Sequence, residues 1–204
     1  MPYKLLSVLL SYPDARMNEA DDELAAALAA MLRSRQSEAI ERFWSYWLTS
    51  SPIERAQHYV ETFDLQKRCS LYLSFYLQGD KRQRGMSLLH LKRLYAAAGL
   101  HLEGKELPDY LPVILEFAAL APPGYGETIL VDLRPALEAV RASLHDLRSP
   151  YAHLLDALCC GLPRLSPLEA ERTQRIMREG PPSERVGLEP FAPPEIMPET
   201  GARR

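Results

Sequence analysis

Leu71-Tyr72-Leu73-Ser74-Phe75-Tyr76-Leu77-Gln78 is the stretch on which the fold class turns. Leu71, Leu73, Phe75 and Leu77 alternate with Tyr72, Ser74, Tyr76 and Gln78, the period of a half-buried strand. A strand needs a neighbour to satisfy its backbone N–H and C=O groups, and no second run of that period is evident to pair with it. Apolar character on nearly every side also suits a central, buried helix. Helix is the choice consistent with the rest of the chain, with Gly79 ending it. An all-α fold follows.

Upstream, Ser51-Pro52-Ile53-Glu54 is a helix start: Ser51 can accept from an early amide, Pro52 suits the first position, and Glu54 completes a capping box. Ala56, Tyr59, Val60 and Phe63 form its buried stripe. Asp64 falls at the helix end, where a carboxylate opposes the dipole, with Arg68 or Arg82 as the compensating cation. Downstream, Asp80 can cap a helix through Met86, Leu89, Leu94 and Ala97 that stops at Gly99. Lys81, Arg82 and Arg84 sit in its first turn, where the dipole disfavours cations, so they are candidates for contacts elsewhere or for a solvated face. After a loop from Leu100 to Lys105, Asp109 is placed as an N-cap with Pro112 in the first turn. Val113, Ile114, Phe117 and Leu120 supply that helix's packing face.

Further out, the apolar start Met1-Pro2-Tyr3-Lys4-Leu5-Leu6 lacks a signal-peptide cleavage site and reads as a first core helix. Asn18 or Asp21 can cap a second one bearing Leu24, Leu28, Met31 and Leu32. A third follows Ser37, with Ile40, Phe43, Trp44, Trp47 and Leu48 on one wide face. Beyond the Pro122-Pro123-Gly124 loop come one helix bearing Leu137, Val140 and Leu144 and another opened by Ser149-Pro150 and stopped at Gly161. Ser166-Pro167-Leu168-Glu169 repeats the capping box and starts a charged helix to about Arg178. The prolines at 181, 182, 190, 193, 194 and 198 cannot build a packed core, so residues 180–204 are expected to be a disordered tail. The expectation is a single all-α bundle over residues 1–179, of about eight to ten helices.

The chemistry is that of a binder more than a catalyst. A net charge of −3 argues against nucleic acid, and no run of 18 apolar residues is present to span a membrane. Cys69, Cys159 and Cys160 include no Cys-x-x-Cys pair, which fits free thiols in a reducing, cytoplasmic setting. His145 and His153, with Asp156 and Cys159 nearby, match no known ligand spacing, but a metal-bearing helical enzyme built on them is the alternative from a different class. No nucleophile motif such as Gly-x-Ser-x-Gly occurs, so catalysis has no support. Lys81, Arg82, Arg84, Lys92 and Arg93 form a basic group that either contacts phosphate or is the solvated side of its helix. Among the acids Glu103, Glu106, Asp109 and Glu116, a capping Asp109 would place Glu116 two turns along the same face. Two carboxylates there, beside Tyr110, Pro112 and Phe117, suit a peptide with basic and apolar side chains; a cap plus surface charge is the plainer alternative.

Three phrases carry a resemblance. Tyr59, Phe63 and Asp64 with Ser70-Leu71 form the first; Gly79-Asp80, Arg82 and Arg84-Gly85 the second. Glu106-Leu107-Pro108-Asp109, Leu111-Pro112 and Glu116-Phe117 form the third. Together they resemble the NarJ branch of the molybdoenzyme assembly chaperones, over roughly residues 1–165 and most strongly over 56–120. Related branches carry Asp-His where this chain has Asp109-Tyr110, so a carboxylate role transfers and an imidazole role does not. The resemblance implies a cytoplasmic, non-enzymatic helical protein with no cofactor of its own. Its implied partner is the catalytic subunit of nitrate reductase, held by its basic and apolar N-terminal segment until molybdenum cofactor is inserted and membrane docking can follow. Neither nucleic acid nor membrane insertion is implied. The client-binding residues implied are Tyr59, Phe63, Asp64, Ser70, Leu71, Asp80, Arg82, Arg84, Pro108, Asp109, Tyr110, Pro112, Glu116 and Phe117. A sibling chaperone for another molybdenum oxidoreductase is the nearest alternative.

Overall fold

The computed structural model describes residues 2–78, 81–102, 104 and 106–180, with Lys81 described by its backbone alone. Among them are twelve α-helices and no strand, so the all-α expectation holds with more and shorter helices than the patterns predicted. They are α1 (Tyr3–Leu9), α2 (Ala15–Glu19), α3 (Asp21–Ala29), α4 (Arg35–Thr49), α5 (Pro52–Tyr59) and α6 (Ser74–Leu77). The remainder are α7 (Lys81–Ala97), α8 (Leu111–Leu120), α9 (Tyr125–Asp132), α10 (Arg134–Asp146), α11 (Ala152–Cys160) and α12 (Pro167–Glu179). The tail beyond Gly180, and the Gly79-Asp80 stop and cap, lie outside the described residues.

The bundle pairs α1 with α8, α4 with α11, and α10 with both α11 and α12, while α9 lies against α8. Tyr151, fully buried ahead of α11, joins these layers. Its ring meets Phe43 at 5.0 Å and Phe63 at 4.8 Å, and His58 stacks on it at 5.8 Å. Contacts of this kind add to the burial of large rings, which supplies most of the apolar stabilisation. The α8–α9 contact is close enough that a Cβ on Gly126 would stand 2.2 Å from the Cβ of Ala118. Arg55 is buried beneath the end of α4, donating twice to the Trp47 carbonyl and once to Asn18 Oδ1. A guanidinium there adds charged donors to a last-turn carbonyl that the Ser50 amide also reaches, and it complements the helix dipole.

The capping boxes at Ser51 and Ser166 form as their sequences require. Other boundaries move. The helix bearing Leu24 and Leu28 is α3, whose N-cap is Ala20 with no side-chain hydrogen bond, so neither Asn18 nor Asp21 caps it; Asp14 caps the short α2 before it. The Asp21 carboxylate instead accepts from the Trp47 indole at 2.7 Å. Ser34 caps α4 and Ser37 answers as its reciprocal partner, which moves the helix start upstream. Leu32, Leu48 and Leu120, assigned to packing faces, are exposed, as are Met86 and Leu89 of α7. Leu91 and Tyr95 are the positions that α7 buries. A break at Leu133 divides the region after residue 124 into α9 and α10. The helix through Tyr59 ends in a π turn, Val60–Asp64, where one extra residue per turn carries Asp64 outward.

The decisive stretch is neither wholly strand nor wholly helix. Tyr72 makes an isolated antiparallel bridge with Tyr110, and only Ser74–Leu77 forms a helical turn. Leu73 donates its amide to the Asp109 carbonyl at 3.0 Å, and Leu111 donates to the Leu71 carbonyl at 2.8 Å. The missing partner for the alternating run is therefore the segment entering α8, which has no alternation of its own.

Candidate functional site

That bridge builds one wall of an open cleft of about 560 Å³. Tyr59, Phe63 and Asp64 enter it from the end of α5 and its π turn. Ser70, Leu71, Tyr72 and Phe75 enter from the bridged stretch, Arg84 from α7, and Glu106 and Tyr110 from the segment before α8. Tyr12 and Lys67 complete the lining. The surface is aromatic and hydroxyl-rich, with Asp64, Glu106 and Lys67 exposed at its edge.

Its tyrosines are tied together. The Tyr59 and Tyr110 hydroxyls share a hydrogen bond of 2.7 Å, and Tyr59 also donates to the Leu10 carbonyl at 3.2 Å. Tyr72 donates to Glu106 Oε2 at 3.0 Å, and its ring lies 5.1 Å from that of Tyr110. Burial, and then the accepting Glu106 carboxylate, pushes the Tyr72 phenol up to about 12. Burial likewise raises Tyr59 and Tyr110, so all three are neutral donors at physiological pH.

Behind the wall stands Asp109, which is fully buried. Its Oδ2 accepts from the Ser74 hydroxyl at 2.6 Å and the Ser74 amide at 3.2 Å, and the Arg84 guanidinium lies 3.8 Å away. Arg84 also donates to Ser74 Oγ at 3.2 Å. The carboxylate thus brackets three separate segments. It does not cap α8, whose N-cap is Tyr110 with no side-chain hydrogen bond. The expected Asp109 and Glu116 pair along one helix face is accordingly not formed. Asp109 points inward, while Glu116 lies on the exposed side of α8, paired with Lys4.

Of the implied site residues, Tyr59, Phe63, Asp64, Ser70, Leu71, Arg84 and Tyr110 meet in the cleft. Pro108 and Pro112 are buried, their carbonyls accepting from Tyr95 at 2.6 Å and Ser7 at 2.7 Å. Phe117 is buried against Tyr95, ring centroids 4.3 Å apart, and with Glu116 it lines a separate, smaller cleft of about 220 Å³. Arg82 is on the exposed side of α7, and Asp80 lies outside the described residues. Lys67 shares the cleft with Asp64. Tyr12, Lys67, Tyr72, Phe75 and Glu106 were absent from the implied set. Tyr72 and Phe75 had a signal in the alternating run, Glu106 in the third phrase, and Tyr12 had none.

The histidine cluster is arranged differently from a metal site. His145 Nε2 lies 2.9 Å from Asp156 Oδ1 and His153 Nδ1 3.8 Å from Oδ2, but Arg141 also holds Asp156 at 3.0 Å. Cys159 is buried behind the Arg134–Glu138 pair, and burial pushes its thiol up to about 12. Among the described residues no group of three His, Cys, Asp or Glu is placed to hold a metal ion.

Residues 14–156 match the family described as nitrate reductase delta subunit. The chain is 33% identical over 168 residues to the probable nitrate reductase molybdenum cofactor assembly chaperone NarJ of Bacillus subtilis strain 168, covering 82% of this chain and 91% of that one. It is 35% identical over 156 residues to the chaperone NarJ of Escherichia coli K12, covering 76% of this chain and 66% of the other. The nitrate reductase-like protein NarX of Mycobacterium tuberculosis H37Rv is 36% identical over 160 residues. That match takes in 77% of this chain but only 24% of NarX, so the chain spans about a quarter of that longer relative. The chain belongs to the nitrate reductase delta subunit family.

Proposed function

We propose that this family member is a dedicated assembly chaperone for respiratory nitrate reductase, acting as a binding protein and not a catalyst. It would hold the N-terminal segment of the catalytic subunit in the tyrosine-lined cleft, keeping that subunit competent for molybdenum cofactor insertion before membrane docking. Relatives named as molybdenum cofactor assembly chaperones support the reading. The observation that carries it is convergence: Tyr59, Phe63, Asp64 and Leu71, then Arg84, then Glu106 come from three separate sequence phrases and line one cleft. A cytoplasmic setting agrees with it, and no helix among the described residues is long and apolar enough to cross a membrane.

The cleft suits a segment bearing both apolar and basic side chains. Tyrosine and phenylalanine give large contact area with few rotatable bonds, so little side-chain entropy is lost on binding. Within the cleft, Asp64 and Glu106 are the carboxylates that basic residues can reach, whereas Asp109 is buried behind its wall. Exposed ion pairs contribute about 0–1 kcal/mol each, so apolar burial supplies most of the affinity and charge tunes it.

Isothermal titration of a synthetic N-terminal peptide of the catalytic subunit tests this. Phe75→Ala, at a half-buried position, is expected to weaken binding tenfold or more while the fold is retained. An Asp64→Asn, Glu106→Gln double variant should weaken it severalfold and flatten its salt dependence. Full affinity in all of these variants would remove the cleft from the mechanism. No binding of the peptide by the parent chain would remove the client segment.

A further inference from the structure

The basic group on α7 divides in two. Arg84 turns inward to Asp109, whereas Lys92 and Arg93 are exposed, and the 17 residues of the helix include no Asp or Glu. Arg82, Met86, Leu89 and Arg93 are spaced by four, three and four positions, one stripe opposite the buried Leu91. Met86 is 62% and Leu89 42% exposed, unusual for large apolar side chains at the centre of a cationic face. At one flank, Gln83 shares a broad surface cleft with the exposed Arg172 and Arg175 of α12, with Asp132 and Glu179 on the same walls. Among the described residues no ion pair reaches Lys92, Arg93, Arg172 or Arg175.

We propose that the outward face of α7, extended by α12, docks reversibly on an anionic lipid bilayer surface. Charge complementarity and breadth select this occupant. The chain as a whole is acidic, with a net charge of −3, so attraction to anions must come from this local face. Its cations spread across two helices, which matches a plane of phosphate headgroups better than the single line of acids on a partner helix. Met86 and Leu89 sit between cations whose long stems can spread along the interface, leaving the two apolar tips to enter the headgroup boundary. The association is peripheral, because no described helix can cross a membrane. The proposal does not depend on which client the cleft holds.

Co-sedimentation of the full chain with vesicles of phosphatidylcholine alone, or with about a third phosphatidylglycerol, is the test. Partition into the phosphatidylglycerol vesicles is expected, and it should fall at least tenfold between low and high salt. Each cation removed should cost roughly fivefold, so Lys92→Gln with Arg93→Gln should lower partition by more than tenfold. Met86→Gln with Leu89→Gln should lower it severalfold, while Arg33→Gln, exposed on another face, should leave it unchanged. All these positions are exposed, and unchanged far-ultraviolet circular dichroism of each variant would exclude unfolding as the cause. No partition, equal partition into neutral vesicles, or partition untouched by the α7 substitutions would each overturn the proposal. So would vesicle-independent loss of binding to the catalytic subunit of nitrate reductase in the same variants, which would make the face a protein contact.

Discussion

Replacing Asp109 by Ala removes the acceptor that joins the Ser70–Leu77 stretch, α7 and the entry to α8. The two Ser74 hydrogen bonds, at 2.6 and 3.2 Å, are lost, and the Ser74 amide is left buried without a partner. A buried orphan donor costs about 1–3 kcal/mol, and losing a charge-assisted bond adds about 1 kcal/mol. Arg84 loses its carboxylate too, but its side chain is 31% exposed and can hydrate, so the full cost of a stranded buried charge does not apply. The sum is a destabilisation of about 2–4 kcal/mol, or a melting temperature lower by roughly 4–16 °C in a domain of this size. Asp109→Asn keeps an acceptor for Ser74 while removing the charge and should cost about half as much. Urea unfolding, followed by fluorescence of Trp44 and Trp47 in α4 and by circular dichroism, measures the global change far from the substitution. A double-mutant cycle with Ser74→Ala should return a coupling of about 1–2 kcal/mol. An Asp109→Ala variant within about 0.5 kcal/mol of the parent, or a coupling near zero, would refute the bracket.

Gly126→Ala should destabilise by about 1–3 kcal/mol, because its Cβ would overlap Ala118 at 2.2 Å, and Ala118→Gly in the same chain should recover much of that loss in thermal melts. Burial lowers the His58 pKa below its ordinary 6.5, opposed by Glu61, so the unfolded chain binds the proton more readily than the folded one. Its contribution to stability is therefore complete above about pH 6.5 and declines as pH falls toward the lowered folded value; His58→Gln, measured by urea unfolding between pH 7 and 5, should show a shallower decline.

Local signals in the sequence were sufficient for the two Ser-Pro-x-Glu capping boxes, which close within one helical turn. The capping boxes at Ser51 and Ser166 need only a residue three positions on, and both form as their sequences require. The buried faces of α4 and α8 were legible in their central positions, Phe43, Trp44 and Trp47, and Ile114 and Phe117, because the period of 3.6 residues is an intrachain property. The ends of those stripes, Leu48 and Leu120, were misplaced, since exposure there depends on whether another element covers the helix terminus. Half of the client-binding residues that the family resemblance implies line the cleft, but its phrases gave no sign of the inward turn of Asp109. That turn required Ser74, 35 positions earlier, to present a hydroxyl and an amide to one carboxylate oxygen. The alternation from Leu71 to Leu77 was visible, yet its partner Tyr110 lies in a segment without strand periodicity. Which cations of α7 face Asp109 and which face solvent was settled only when Leu91 and Tyr95 packed inward and fixed the helix's rotation. Backbone geometry over three or four residues is written locally, whereas the partner of a buried charge is set by packing between segments distant in the chain.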